Sequence, residues 1–292
     1  MTDDLRQQAI ALYDRFTHEG MKRRDFFAAM TRIAGGAAAA NVLIGSIAAS
    51  PAAASIVAAD DARLRSGTTA LLGTNGQPMF QAYFAEPKAR SARGTVMVIH
   101  ENRGLNEHIK DVTRRLALAG FYAIAPDFLS PSGGTPANED TARDAIGKLD
   151  LGASTAGAVA MVGLLRGRKG GNGRVGMVGF CWGGAFVNRL AVAAGDQLAA
   201  GVVYYGTALD PSEATRVSAP LLIQLAGLDT RVAATAYPWV TALRAAGKRV
   251  TFQLYDGVNH AFNNDTSTER FNKPAADLAW KRTLSFFRKH LA

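Results

Sequence analysis

The chain is 292 residues long, nearly half of them hydrophobic and a fifth charged, enough for one large or two small soluble domains with a sizeable core. The net charge is +9, but Arg23-Arg24, Arg114-Arg115, Lys248-Arg249 and Arg288-Lys289 lie far apart, with no continuous basic block or aromatic-interleaved run. The charge therefore implies solubility and attraction for anionic substrates and argues against a nucleic-acid partner. One cysteine excludes an intramolecular disulfide.

Residues 1–54 do not read as domain material. Lys22-Arg23-Arg24-Asp25-Phe26-Phe27 has the twin arginines, polar spacer and aromatic of a twin-arginine export signal. A mildly apolar, alanine- and glycine-rich stretch follows over 28–49, then Ser50-Pro51-Ala52-Ala53-Ala54, whose small residues resemble a cleavage site. Lys22 stands where such signals carry Ser or Thr, and Arg32 interrupts the apolar run. The stretch is too weakly apolar for a stable membrane anchor, which needs about 20 strongly apolar residues. The expected organisation is a removed signal over 1–54, a linker over 55–66 and a single domain over 67–292. Export by the twin-arginine machinery, with a periplasmic or secreted mature protein, follows from that expectation.

From residue 67 the pattern turns to β. Residues 73–78 are turn material between strands at 69–72 and 79–84, which predicts a hairpin. Residues 94–100 form a continuous apolar run typical of a strand buried on both faces. Helical spacing over 108–118 is stopped by Gly120, and a second strand runs over 121–126. Strand, helix and strand within about 30 residues make a βαβ unit, so the sheet is expected to be mostly parallel and doubly wound, with helices on both faces. Residues 127–150 read as an excursion over the sheet's edge. Further helices are predicted at 155–165, 185–194, 237–246 and 275–291, and further strands at 174–180, 198–205, 220–225 and 249–255. No internal repeat is present.

The strand at 174–180 runs into Cys181 and then the glycines of Gly179-Phe180-Cys181-Trp182-Gly183-Gly184. This is the strand–turn–helix of a nucleophile elbow, with cysteine where esterases usually have serine. The turn forces its central residue into a strained conformation, so the residues two positions either side, Gly179 and Gly183, must be small. The side chain is then presented at a helix N-terminus, where amide donors and the dipole favour a thiolate. The alternative is a buried structural cysteine, which the flanking glycines disfavour.

A cysteine nucleophile needs a base, and the base needs an orienting carboxylate. His260 lies after Cys181 in a loop following the last strand, and Asp229 follows the preceding strand. Asp256 competes with Asp229 but is read as capping the turn into Gly257. All three chosen residues fall at the carboxyl ends of strands, where ligands bind in such sheets. The backbone N–H groups of Asn102 and Trp182 are the expected oxyanion donors, each contributing on the order of 3 kcal/mol. Tyr204 and Tyr205 are candidates for the pocket wall. No metal cluster or phosphate loop appears, so neither metal nor cofactor is expected.

Together, Gly-Phe-Cys-Trp-Gly-Gly, Gly-Leu-Asp, Asn-His-Ala-Phe, His-Glu-Asn-Arg-Gly and Val-Tyr-Tyr-Gly resemble the dienelactone hydrolase (carboxymethylenebutenolidase) family, from about residue 95 to the C-terminus. The resemblance implies an α/β-hydrolase fold and a Cys181–His260–Asp229 triad acting on small activated esters or lactones through a thioester. It also implies that Glu101 pairs with the resting thiol and is displaced as substrate binds. Two positions depart from the family pattern: Ala261 replaces a serine, and Asn264 replaces the arginine that binds the substrate carboxylate. Arg103 is the expected substitute for that arginine. A monomer acting on a small-molecule substrate is expected. Two other classes remain open: an exported binding or redox-sensing protein using Cys181, and an amidase or peptidase on the same scaffold.

Overall fold

The chain, seen in a computed structural model, is described over residues 2–48, 55–72, 78–89 and 94–292. Four short runs, almost free of polar side chains, form β3 (Thr95–Ile99), β5 (Val175–Phe180), β6 (Ala200–Tyr204) and β7 (Leu221–Ala226), and every residue in them is buried. Only a strand covered on both faces buries its odd and even residues alike. With β1 (Leu64–Leu72), β2 (Pro78–Pro87), β4 (Tyr122–Asp127) and β8 (Val250–Tyr255) they build one eight-stranded sheet, ordered β1-β2-β4-β3-β5-β6-β7-β8. The β1–β2 and β2–β4 pairs are antiparallel and the rest parallel, as a doubly wound sheet requires.

Helices cover both faces. On one, α4 (Glu107–Leu118) and α9 (Lys273–Leu291) bury Val112, Phe287 and Leu291 against Val98 and Tyr204. On the other, α6 (Leu151–Arg166), α7 (Trp182–Ala193) and α8 (Thr230–Ala245) bury Met161, Leu190 and Trp239 against Ile99 and Val203. The excursion at 127–150 contains a helix the sequence did not predict, α5 (Glu139–Ile146), whose N-terminus is capped by Asn138. Helix α8 begins at Thr230 rather than 237, because Asp229 accepts the Val232 N–H and caps it.

The N-terminal segment folds into three helices, α1 (Asp3–His18), α2 (Arg23–Ala34) and α3 (Ala37–Ile47). Tyr13, Phe16, Phe26, Met30, Leu43 and Ile47 make a core of their own, with Phe16 stacked on Phe26 at 4.2 Å. Gly35, at φ 76°, ends α2 where the chain bends by 105° into α3. The unit is fastened to the rest of the chain at several points: Arg103 donates to the Tyr13 hydroxyl (2.7 Å), Ser267 to the Ile47 carbonyl (2.6 Å), and Arg23 pairs with Asp140 (2.6 Å). Where an export signal was expected, these residues thus form a cap at the carboxyl edge of the sheet. The expected cleavage stretch at 50–54 and the hairpin turn at 73–77 lie outside the described residues. Among the described residues no single helix is long and apolar enough to cross a membrane.

Residues 55–66, expected as a linker, are pinned to α4. Val57 donates to Asp111 (2.7 Å) and accepts from Arg114 (2.8 Å), and β1 already begins at Leu64.

Candidate active site

Cys181 stands between the end of β5 and the start of α7 with φ 54° and ψ −114°, a conformation disfavoured for any residue with a side chain. Two glycines make room for it. A Cβ on Gly179 would lie 2.1 Å from the Gly183 carbonyl oxygen, and one on Gly183 would lie 2.4 Å from the Ile99 oxygen. The sharp turn brings these backbones together and presents the sulfur at the N-terminus of α7. The Asn102 and Trp182 N–H groups have no acceptor among the described residues, so both are free to receive a ligand oxygen.

His260 and Asp229 meet at that edge. His260 Nδ1 is 2.5 Å from Asp229 Oδ2, while Asp229 Oδ1 holds the first turn of α8. Both residues are buried, whereas Asp256 is exposed. Burial alone would lower the His260 pKa; the Asp229 carboxylate and the Cys181 sulfur outweigh it and push it up to about 10. Burial pulls Asp229 the other way, but the charged His260 wins and holds its carboxyl below the usual range. His260 Nε2 is buried with no hydrogen-bond partner among the described residues.

A second imidazole reaches the sulfur from the cap. His18, the last residue of α1, places Nε2 3.9 Å from Cys181 Sγ, and its ring lies edge-on to His260 at 4.9 Å. Burial drives its pKa well below 6.5, helped by positive His260, Arg231, Arg270 and Arg103, so it is neutral near pH 7. The ring nitrogens of His18 and His260 and the Cys181 sulfur all lie within 4.8 Å of one another. The sequence reading placed His18 in a leader, and nothing in the residues around it signals that it lies beside Cys181.

A cavity of about 290 Å³ opens beside the sulfur, lined by His18, Asn102, Trp182, Tyr205, Arg143 and Arg231 among others. A larger one of about 390 Å³, between Ser55, Asn106 and Asp265, reaches none of Cys181, His260 or Asp229. Glu101 is buried; it accepts from Asn264 Nδ2 at 2.7 Å and from the Tyr205 hydroxyl at 3.5 Å. Asn264 therefore fixes Glu101 and is itself buried. Arg103 borders the crevice beside Cys181, but its guanidinium is taken up by Tyr13 and by Glu139 at 3.3 Å, which neutralises the charge expected to face a substrate. Tyr205 lines the cavity as expected. Tyr204 does not: it is the last residue of β6, and its side chain points to the opposite face, where its hydroxyl meets Thr283 at 2.8 Å under α9. Sequence reasoning overlooked Arg231, half-buried on the first turn of α8 and without an ion-pair partner among the described residues.

A mostly parallel sheet covered on both faces, with a cysteine, a histidine and an aspartate drawn together at its carboxyl edge, defines an α/β-hydrolase. The chain belongs to the dienelactone hydrolase family: the family's sequence profile ("Dienelactone hydrolase family") matches residues 80–291. It is 33% identical over 260 residues to a Methylorubrum extorquens protein named "Putative carboxymethylenebutenolidase", an alignment covering 84% of this chain and 88% of that one. Among solved structures it resembles "Putative Dienelactone Hydrolase" from Klebsiella pneumoniae, at TM-score 0.70 and 28% identity, covering 77% of this chain and 99% of that one. The esterase rPPE shares the fold at TM-score 0.66 and 15% identity, over 100% of this chain and 98% of its own. The protein is a hydrolase acting on carboxylic esters.

Proposed function

We propose that the protein cleaves small, activated esters or lactones, of the enol-lactone type, with Cys181 as nucleophile. The observation that carries this reading is the strained Cys181, lining one cavity with Asn102 and Trp182, whose N–H groups have no acceptor among the described residues, and lying within 4.8 Å of a histidine oriented by a buried aspartate. The sulfur attacks the ester carbonyl and a C–S bond forms while the two amides hold the oxyanion. The C–O bond then breaks, and the leaving oxygen departs as an enolate or takes the His260 proton. Water cleaves the resulting thioester, releasing the acid and restoring the sulfur. Amides, whose leaving group demands full protonation, are poorer substrates for this arrangement.

The substrate class follows from the cavity's charge. Arg231 is the cation best placed to receive a carboxylate carried by the substrate; Arg143 is already shared with Asp140 and Asp144. Arg231 would thus do what the resemblance expected of position 264 or of Arg103. The gating role of Glu101 rests on the family resemblance, and it requires substrate binding to move a carboxylate that Asn264 and Tyr205 hold.

The test is a screen of esters, lactones and enol lactones with and without a distal carboxylate, repeated with Cys181→Ala. Turnover lowered by at least about 10³-fold in the variant supports the reading. Wild-type turnover in Cys181→Ala would leave only a binding or redox role for the thiol. For residues 1–54, Arg23-Arg24 and the small residues at 50–54 favour a second reading, removal during twin-arginine export to the periplasm. N-terminal sequencing of the protein from its native compartment tests that reading, which requires a start near residues 55–60.

A further inference from the structure

We propose that His18 is a second catalytic base: it takes the proton from the water that cleaves the thioester on Cys181, and the N-terminal cap is therefore part of the working enzyme. The proposal rests on the reading of Cys181 as nucleophile given above. Two imidazoles flank the sulfur, and only one belongs to the expected triad. His18 Nε2 is 3.9 Å from Sγ and lines the cavity shared by Cys181, Asn102 and Trp182, where an acyl group and an incoming water must sit. A ring nitrogen of His260 lies within 4.8 Å of the same sulfur, its ring edge-on to that of His18 and Asp229 behind it.

The two rings are held in opposite protonation states. His260 carries its proton because Asp229 supports the charge; His18 is neutral because burial and the positive His260, Arg231, Arg270 and Arg103 all oppose charging it, with Asp14 the acid of its own helix near Arg270. Paired titratable groups pushed apart in this way divide acid and base roles between them. With an enol or aryl leaving group the C–O bond breaks without taking a proton, so His260 enters the thioester stage with its own proton in place and Nδ1 held by Asp229, and has no free nitrogen to accept one from water. His18 can. The water oxygen bonds to the carbonyl carbon as its proton passes to His18 Nε2. The C–S bond then breaks, its electron pair returns to the sulfur, the acid leaves, and His18 gives its proton to solvent through the open cavity.

The position of His18 is not incidental to a loose tail. The cap has its own aromatic core and is fixed to the catalytic domain at Tyr13, Asp14, Ser46 and Ile47, through Arg103, Arg270, Glu269 and Ser267. These contacts set the end of α1 against the sulfur.

The experiment compares the full-length protein and its His18→Asn variant on p-nitrophenyl acetate, following turnover while intact-protein mass spectrometry reads the acylation of Cys181. Expected for the variant are a fall in turnover of about 10²-fold or more, acetyl-Cys181 as the dominant species during turnover, and partial rescue by added imidazole. The loss should be smaller for an alkyl ester, whose leaving group takes the His260 proton and frees that ring to act as base. Unchanged turnover, or a loss without accumulation of the acyl-enzyme, would overturn the role of His18 while leaving Cys181 as nucleophile. Full activity in a native protein beginning near residues 55–60 would overturn it as well. Failure of the underlying reading looks different: turnover in Cys181→Ala, with no acylated cysteine in the wild type.

Discussion

At the scale of single residues, the site depends on charges that burial would remove if they were not paired. Asp229 keeps His260 protonated, so Asp229→Asn should lower kcat by about 10³- to 10⁴-fold with the fold intact, as loss of an orienting carboxylate does elsewhere; steady-state kinetics beside circular dichroism checks this. Arg231→Ala should reduce the preference in kcat/KM for a carboxylated ester over its neutral analogue by about 10- to 100-fold, the effect of losing one hydrogen bond to a charged group. The same selectivity loss from Arg103→Lys instead would return the carboxylate contact to Arg103. The closeness of Cys181, Asp229 and His260 was legible in the sequence because nucleophile, acid and histidine follow a fixed chain order at the strand ends, whereas the role of Glu101 came only from the family resemblance. His18 and Arg231 were not, because what places them is packing: one arrives on a helix from the far end of the chain, the other on the first turn of a helix expected to start later.

At the scale of elements, the elbow is a close meeting of backbones. Gly179→Ala places a methyl group where the Gly183 carbonyl stands, and should cost about 3 kcal/mol or more, measured by urea unfolding. The cap and the triad respond to pH with opposite signs. His260, raised from 6.5 to about 10 on folding, contributes stability that is complete below pH 6.5 and is lost as pH rises toward 10. His18, lowered on folding, has no effect above 6.5 and destabilises the fold as pH falls below that value, because the unfolded chain takes up its proton first. Urea midpoints should therefore peak near pH 6.5, and His18→Asn should flatten the acid side only. Hydrogen exchange below pH 6 should speed up in α1 before it does in the sheet. Equal flattening of both limbs would contradict the separation of the two rings.

At the scale of the whole molecule, the mostly parallel sheet and the helices on its two faces follow from a simple pattern: short, uniformly apolar runs separated by helical periodicity. That pattern made the architecture readable, including the antiparallel β1–β2 pair. It could not reveal the cap. Arg23-Arg24 and the alanine-rich stretch after them have the composition of an export signal, and the same residues satisfy the packing of a three-helix unit: Phe26 and Met30 enter its core while Arg23 pairs with Asp140. Composition alone cannot show such packing, because it depends on whether a partner surface exists. Arg103, Arg270 and Ser267 supply that surface from distant parts of the chain.

Under the proposed function, one sulfur carries the acyl group. Its most direct test is intact-protein mass spectrometry of the wild-type enzyme, quenched in acid during turnover of an activated ester, followed by peptide mapping. Expected is a single acyl group, on Cys181, that appears and decays with turnover and is absent from Cys181→Ala. Turnover with no acyl group on Cys181, or an acyl group on another side chain, would contradict it.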